Sequence, residues 1–260
     1  MILTAAERQA FSDNGWLVIR KAVSPERTAA LEDALDAVYP EAAYASGHAG
    51  RVIEIASISR GSQRILENAY DRQIAELAAA ALDVPSLRFF QDTAFIKPKG
   101  GGGRVEWHQD YTYFAFLDRP NVLTARLALT TCTRQNGCLR VVSGSHKWGL
   151  AGEALSFGAD SVEDALSRLS PERRNWVLQN QTELELEPGD LSLHHCLTFH
   201  GSLENDSDRP RKTLAIRLVD GDVRLVPARL PSPDVAAYFP TDSEGHLADS
   251  AFPLLFCRPT

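Results

Sequence analysis

Residues 122–131 of the chain read VLTARLALTT, a run whose side chains alternate between apolar and other types as in a β-strand. One face of this strand carries Leu123, Ala125, Leu127 and Leu129. Arg126 projects from the opposite face, beside Thr124. A guanidinium inside a β core is unfavourable unless an anion meets it. The run therefore predicts a buried strand that also carries a buried positive charge.

Four more runs of this kind follow residue 86, separated by Gly, Pro, Asn or Asp turn signals. They are LRFFQDTAFI (87–96), CLRVVSG (138–144), DLSLHHCLTF (190–199) and KTLAIRLV (212–219). Many short strands with irregular connections are typical of a closed or double-sheet β core such as a jelly roll. We expect a mostly β protein with flanking α-helices.

The first 85 residues carry helix signals instead. Thr4 and Glu7 form a capping box, and Gly15 is placed to end that helix. A second helix begins at Ser24-Pro25-Glu26. Helical spacing predicts a third helix over residues 63–82, whereas residues 41–62 show little periodicity and predict a loop that reaches over a pocket.

These signals predict one domain over residues 1–260. Its mainly helical part (1–85) packs on a β barrel (86–225), which a helical insertion (158–176) interrupts, and a C-terminal tail (226–260) follows. We expect substrate identity to be decided by segments 41–62 and 148–161 and by the tail from residue 220.

Composition limits the possible partners. The 260 residues include 27 Lys+Arg and 34 Asp+Glu, which gives a formal net charge of −7 and argues against a general nucleic-acid binder. No apolar run approaches the roughly 18–20 residues that span a bilayer. The first 15 residues lack the basic-then-apolar order of a secretory signal. We therefore expect a cytoplasmic protein with no membrane partner; the oligomeric state is left open.

Two segments carry the residues with chemistry. VEWHQDYTYF (105–114) contains His108 and Asp110, which project from the same face of a strand roughly 6–7 Å apart. Farther along, His200 is followed by Gly-Ser and, eleven residues on, by Arg211. Two histidines and one carboxylate form the facial triad that holds Fe(II), and an arginine can pair bidentately with a carboxylate. Together the segments imply a metal and a carboxylate-bearing co-substrate.

Six stretches resemble one family in the same order along the chain. They are FIKP (95–98), WHQDYTYF (107–114), VLTARLAL (122–129), NGCLRVVSGSHKWG (136–149), PGD (188–190) and HGSLEN (200–205) with its following arginine. In these stretches the sequence resembles the phytanoyl-CoA dioxygenase family of Fe(II)- and 2-oxoglutarate-dependent oxygenases. The resemblance implies a double-stranded β-helix, the cupin-like form of the jelly roll.

The resemblance also implies a site. His108, Asp110 and His200 would be the iron ligands and the catalytic centre, with His200 selected over its neighbours His194 and His195 by the Gly-Ser that follows it. Arg211 would bind the distal carboxylate of 2-oxoglutarate, and Ser202 would assist it. Thr93 lies where many relatives carry a glutamine that touches the same co-substrate.

The implied reaction consumes O₂ and 2-oxoglutarate, releases succinate and CO₂, and oxidises a small or medium-sized organic substrate, with secondary metabolism as the expected setting. Halogenating relatives carry Ala or Gly at the carboxylate position, so the intact Asp110 favours hydroxylation or a related oxidation. The aromatic residues that follow the ligands are candidates for the substrate wall. They are Tyr111, Tyr113 and Phe114.

Arg126 departs from the family pattern, because relatives often carry Trp at this position close to the co-substrate. We expect Arg126 to pair with a carboxylate of 2-oxoglutarate or of the substrate; the alternative is an ion pair with a nearby acidic side chain. Two other functions stay open. One is a barrel metalloenzyme that does not use 2-oxoglutarate, and the other is a non-catalytic barrel that binds a small ligand.

Overall fold

The structure, a computed structural model, describes residues 2–40, 52–101, 103–151 and 166–258. Within these ranges the α-helices are α1 Ala5–Asn14, α2 Pro25–Val38, α3 Gln63–Ala69, α4 Arg72–Leu82 and α5 Pro171–Asn180. The strands are β1 Trp16–Ile19, β2 Ile53–Ala56, β3 Ser86–Lys97, β4 Val105–His108, β5 Val122–Ala128, β6 Leu139–Val142, β7 Gln181–Leu184, β8 Leu191–His195, β9 His200–Ser202, β10 Arg211–Asp220 and β11 Leu254–Cys257.

Two antiparallel sheets form the β core. The larger sheet has the order β1-β8-β5-β10-β3-β11, with β2 also paired to β3, and the smaller sheet has the order β4-β9-β6-β7. Neighbours in each sheet are distant in sequence, as in a jelly roll. The predicted class is confirmed: the protein is mostly β with flanking helices and has a cupin-like, double-stranded β-helix core.

Helices α2 to α4 cover the outer face of the larger sheet. Leu35, Ile65 and Leu77 from these helices join one apolar core with the outward-facing residues of the sheet, such as Leu127. Each side chain of this size stabilises the fold by about 1.5–3 kcal/mol when buried. The predicted faces of β5 are confirmed, since its leucines belong to this core and Arg126 lies on the inner side.

The helix predicted over residues 63–82 is two helices. The side chain of Asp71 accepts a hydrogen bond from the backbone N–H of Ile74 at 3.0 Å and so caps the start of α4. Asp71 also forms an ion pair with Arg27 of α2, which holds the break in place. The apolar spacing continues across the break, but a capping aspartate satisfies the first N–H groups of a new helix.

Two segments differ from the predicted loop and insertion. Residues 41–51 lie outside the described residues, but Ile53–Ala56, predicted as loop, forms β2 along the edge of β3. This strand is fixed by its long partner rather than by its own pattern. Of the predicted insertion 158–176, residues 158–165 lie outside the described residues, and α5 begins at Pro171 and continues to Asn180. Likewise, residues 152–161 of segment 148–161 are not described.

Both ends of the chain add strands to the larger sheet. Strand β1 from the predicted helical part pairs with β8, and β11 from the predicted tail pairs with β3. None of the described helices combines the length and the apolar character needed to cross a membrane.

Strand β3 contains an irregularity that we call the β3 bulge. On β10, Arg217 pairs with Gln91 but the next residue, Leu218, pairs with Phe89, so Phe90 is the extra residue. Phe89 joins the outer core, whereas Phe90 joins an aromatic cluster on the inner side and Gln91 lines the interior cavity. The bulge therefore turns two consecutive side chains to the inside of the barrel.

Candidate active site

A cavity of about 570 Å³ lies between the two sheets. Both sheets line it, and Val235 and Phe239 close one side from the C-terminal segment. This volume is in the range of small-molecule sites. The ionisable side chains of its lining in the described part of the chain are Glu54, His108, Asp110, Tyr113, Arg126, His194, His200 and Arg217.

His108, Asp110 and His200 converge at this cavity. His108 ends β4 and pairs directly with His200, the first residue of β9, and a 3₁₀ turn begins at Asp110. Each histidine Nε2 lies 3.5 Å from Oδ1 of Asp110, and the two imidazole centroids are 4.2 Å apart. One ligand atom from each of the three residues lies within 4.8 Å of the others. The two segments predicted to share a metal are therefore brought together.

The backbone fixes the orientation of both imidazoles. Nδ1 of His108 lies 2.8 Å from the carbonyl of Glu106, and Nδ1 of His200 lies 2.8 Å from the carbonyl of Thr198. A carbonyl accepts only from a protonated nitrogen, so each Nδ1 carries a hydrogen and each Nε2 is the nitrogen that faces Asp110 and can bind a metal. This is the arrangement that histidine ligands adopt around a metal.

The outer oxygen of Asp110 has its own partners. Thr124 donates its hydroxyl to Oδ2 at 2.8 Å, His194 Nε2 lies 3.4 Å away, and Arg217 Nε lies 4.0 Å away. Burial opposes ionisation, but His200, the hydrogen-bonding neighbours and Arg217 hold the pKa of Asp110 well below its usual range. Burial lowers the pKa of His200 well below its usual value. An ionised carboxylate beside two imidazoles is a donor set that fits Fe(II).

Arg211 lies at the start of β10, opposite Lys97 of β3. It is 1% exposed and donates Nη1 to the carbonyl of Gly137 at 2.7 Å, while Nε and Nη2 have no hydrogen-bond partner. Buried guanidinium nitrogens almost always have an acceptor, so this pair of free donors fits a carboxylate. Arg211 does not itself line the cavity, whereas Ser202, its predicted helper, does.

Lys97, the cross-strand neighbour of Arg211, contacts Ser202 and was not anticipated from the sequence. Its Nζ donates to Oγ of Ser202 at 2.7 Å and to the carbonyl of Leu203. Burial, with the nearby charges of Arg211 and Arg126, lowers the pKa of Lys97 to about 6. At neutral pH the Lys97 side chain is therefore mostly a neutral amine until an anion binds nearby.

Arg126 faces the cavity as the sequence predicts. Its Nε donates to Oγ1 of Thr213 at 3.0 Å, and its guanidinium lies 4.8 Å from the ring centroid of Phe95. Among the described residues no carboxylate lies within ion-pair distance of it, so the alternative of an acidic partner within the chain is not observed there. Burial and the charge of Arg211 lower the pKa of Arg126 to about 9.

The remaining predicted residues separate into two groups. Thr93, Tyr113 and Phe114 line the cavity. Tyr111 does not, because it is buried in the inner aromatic cluster and donates its hydroxyl to the carbonyl of Leu117 at 2.9 Å. Tyr111 therefore supports the wall from behind.

Sequence reasoning missed Arg217 and His194, although a signal for Arg217 exists. Arg217 follows Arg211 by six residues on the same strand, and an even spacing places both side chains on one face. His194 pairs across the sheet with Thr124, which brings it to the outer oxygen of Asp110. That contact depends on cross-strand register, which the sequence alone does not give.

Known proteins resemble this chain in sequence. The sequence profile of the Phytanoyl-CoA dioxygenase (PhyH) family matches residues 11–213. "Phytanoyl-CoA dioxygenase 1" of Oryza sativa subsp. japonica is 34% identical over 140 residues, which are 52% of this chain and 47% of that protein. "Phytanoyl-CoA dioxygenase, peroxisomal" of Bos taurus is 23% identical over 86% of this chain and 71% of its own length. The chain thus spans about half the length of the rice relative.

Solved structures share the fold. The non-heme alpha ketoglutarate dependent carbocyclase SnoK from nogalamycin biosynthesis aligns with a TM-score of 0.77 at 20% identity, over 98% of this chain and 97% of SnoK. EctD from S. alaskensis, solved with 2-oxoglutarate and 5-hydroxyectoine, aligns with a TM-score of 0.69 at 21% identity, over 99% of this chain and 86% of EctD. Since the profile match covers most of the chain in addition, the protein belongs to the phytanoyl-CoA dioxygenase family.

Proposed function

We propose that the protein is an Fe(II)- and 2-oxoglutarate-dependent dioxygenase of the hydroxylase type. It oxidises a small or medium-sized organic substrate with O₂ and releases succinate and CO₂. The observation that carries this proposal is the convergence of His108, Asp110 and His200, whose ligand atoms lie within 4.8 Å of one another inside the cavity. Bound Fe(II) would supply the redox chemistry that couples decarboxylation of 2-oxoglutarate to oxidation of the substrate.

The three ligand residues have distinct roles in this proposal. His108 and His200 present their Nε2 lone pairs, while Asp110 supplies the negative charge that partly neutralises the ion. With only three protein ligands, a bound Fe(II) would keep coordination positions available for the co-substrate and O₂. The carboxylate of Asp110 occupies the position at which a halogenating enzyme would need an open site, which favours hydroxylation.

The co-substrate would be held by residues on the inner face of the larger sheet. Arg211 pairs with its distal carboxylate through the two free guanidinium nitrogens, and Ser202 donates a further hydrogen bond. Arg126 and Thr93 flank Ala215 of β10 in one cross-strand row, between the triad and Arg211. We assign Arg126 to the carboxylate next to the keto group, where Thr93 borders the same space.

The substrate occupies the rest of the cavity. Tyr113 and Phe114 form its wall next to the metal, and Phe239 of the C-terminal segment lies on the same side of the cavity. Such apolar side chains exclude water from the reacting centre. The likeness to SnoK supports a role in secondary metabolism as part of this proposal. The proposal also places the enzyme in the cytoplasm.

Anaerobic titration tests the metal and co-substrate sites together. Addition of Fe(II) and then 2-oxoglutarate is expected to produce a weak visible charge-transfer band. The Asp110→Ala variant should lose the band because it loses iron, and Arg211→Ala should lose it because 2-oxoglutarate binds weakly. Arg209→Ala, which changes an exposed arginine two residues away, is the matched control and should retain the band.

The two other functions give different results in the same experiment. A metalloenzyme without 2-oxoglutarate would bind iron and show no 2-oxoglutarate-dependent band or succinate release. A non-catalytic ligand-binding barrel would bind no iron. Full 2-oxoglutarate turnover by Arg211→Ala would contradict the assignment of that residue. Screening of metabolite extracts for succinate release, with the product identified by mass spectrometry, would then reveal the substrate.

A further inference from the structure

A second guanidinium faces the cavity in addition to Arg126. Arg217 lies on β10 at the β3 bulge and lines the cavity with a side chain that is 13% exposed. Its Nη1 donates to Oγ1 of Thr93 at 3.0 Å, and its Nε has no hydrogen-bond partner. The nearest carboxylate oxygen to that Nε is Oδ2 of Asp110, at the outer limit of an ion pair, 4.0 Å.

Arg217 lies at the metal end of the proposed co-substrate site, although it donates to Thr93, which borders that site. Arg211 is six residues away at the other end of β10, and Arg126 lies between the two, opposite Ala215. Arg217 instead pairs with Thr124 and Gln91, in the row that supports Asp110. Its guanidinium carbon is 5.6 Å from the ring centroid of Phe114, a residue of the substrate wall. Arg217 therefore stands between the metal ligands and the space left for the substrate.

Charge in the cavity does not balance without another anion. A ferrous ion and Arg211 together carry three positive charges, which Asp110 and the two carboxylates of 2-oxoglutarate match. Arg126 and Arg217 then remain, and so does Lys97 once bound 2-oxoglutarate favours its ammonium form. The one other carboxylate in the described lining is Glu54, which is exposed. At least one largely buried guanidinium is left without a counter-charge, which is unfavourable unless the substrate supplies it.

We propose that Arg217 selects a substrate that carries an anionic group, a carboxylate or a phosphate-type oxyanion, and binds that group beside the metal. This inference rests on the proposed function and extends it to a substrate class. Because Arg217 Nε lies close to Asp110, an anion held there keeps the attached carbon skeleton near the reacting centre. Phe114 and Phe239 then contact the apolar part of the same molecule.

The test measures the binding of small anions to the anaerobic complex of the enzyme with Fe(II) and 2-oxoglutarate. The probes are propionate, inorganic phosphate and the neutral isostere propionamide, titrated by calorimetry at low ionic strength. Propionate or phosphate should bind and propionamide should not. The Arg217→Gln variant should weaken anion binding by about tenfold or more, because it removes a charge-assisted hydrogen bond. Its affinity for 2-oxoglutarate should fall much less than its affinity for the anions, because Arg211 and Arg126 remain in place.

Two further variants separate charge from folding. Arg217→Lys keeps the charge and should retain more anion affinity than Arg217→Gln. Arg72→Gln changes an exposed arginine of α4 and should bind the probes like the unmodified protein. Thermal unfolding of each variant reports whether the fold is intact.

Three results would overturn the inference while leaving the proposed function in place. In the first, Arg217→Gln binds the anions as tightly as the unmodified protein does. In the second, the unmodified protein binds propionamide as tightly as propionate. In the third, it binds neither propionate nor phosphate. A large loss of 2-oxoglutarate affinity in Arg217→Gln would assign this residue to the co-substrate and also overturn it. Failure of the unmodified protein to bind Fe(II) and 2-oxoglutarate would instead contradict the proposed function.

Discussion

At the scale of single residues, Thr124 holds the carboxylate of Asp110 in the orientation that the metal site needs. Its hydroxyl is 2.8 Å from Oδ2, and both groups are buried. The Thr124→Val variant keeps the shape of the side chain but removes the donor. Loss of such a supporting partner is expected to weaken Fe(II) binding by about tenfold to a hundredfold. Anaerobic competition with a chelator of known affinity measures this.

The matched control for that variant is Thr131→Val. Thr131 donates to Glu187 at 3.0 Å on the exposed surface, so its loss should leave iron affinity unchanged. Equal iron affinity in Thr124→Val and the unmodified protein would mean that Asp110 is held by its other neighbours.

The lowered pKa of Lys97 predicts that the binding of 2-oxoglutarate depends on pH. Its pKa of about 6 in the unliganded protein means that the amine is neutral at pH 7–8. A bound dianion nearby favours the ammonium and raises this pKa, so binding takes up a proton. Affinity for 2-oxoglutarate should therefore fall as the pH rises above 6, by at most about tenfold per pH unit.

Calorimetry in buffers of different ionisation enthalpy detects that proton. The Lys97→Met variant should bind 2-oxoglutarate without the uptake. The neighbouring Lys212, which pairs with Glu32 and Asp36 on the other face of the sheet, provides the control, and Lys212→Met should retain it. Identical heats in all buffers for the unmodified protein would exclude Lys97 as the group that is protonated.

The convergence of His108, Asp110 and His200 was predictable from an i, i+2 pair and from the resemblance of the HGSLEN stretch to the phytanoyl-CoA dioxygenase family, whereas the role of Arg211 stays a prediction. The neighbours of Asp110 were not predictable in the same way. Thr124 and His194 reach it through the pairing of β5 with β8, and Lys97 reaches Ser202 from a strand in the other sheet. Such contacts follow from the register and the stacking of sheets.

At the scale of elements, the close approach of β4 and β9 sets the distance between the two histidine ligands. Gly201 follows His200, and a Cβ at that position would lie 2.9 Å from the carbonyl oxygen of Val105, which is backbone and cannot rotate away. Gly201→Ala should push the strands apart and lower Fe(II) affinity by about tenfold or more. Chelator competition again measures the effect.

Gly61→Ala is the control for this variant. The added Cβ would lie 2.9 Å from a side-chain methyl of Val38, which is remote from the site and able to move. Iron affinity in this control should be unchanged, and an unchanged affinity in Gly201→Ala would show that the β4–β9 distance is not critical.

Elements also differ in how far their own sequence determines them. The caps of α1 and α2 were predictable because Thr4, Glu7 and Ser24 act on N–H groups within their own first turns. The break between α3 and α4 was missed because the apolar spacing continues through Asp71. Strands β2 and β11 depend on pairing with β3, so their existence is a property of the assembled sheet.

At the scale of the whole molecule, ligands that bind only the folded barrel should stabilise it. Fe(II) with 2-oxoglutarate at about a hundred times the dissociation constant adds about 2.7 kcal/mol to the free energy of unfolding. For a protein of this size, each kcal/mol typically raises the melting temperature by about 2–4 °C, so we expect a rise of about 5–10 °C. Anaerobic differential scanning fluorimetry measures it. Asp110→Ala should lose the rise and the exposed control Asp208→Ala should keep it; a rise in both would place the ligands elsewhere.

The β3 bulge also bears on how a barrel of this kind diversifies. From Gln91 to Lys97, β3 keeps an unbroken register with β10, and this part carries Thr93 and Lys97. Before the bulge, Phe90 packs among the aromatic side chains that border the substrate space. Exchange of residues on the earlier side can therefore alter which molecule is accepted, while the later side preserves the geometry for the oxoacid. One strand thus contributes to the binding of two different molecules, and a single inserted residue divides the two parts.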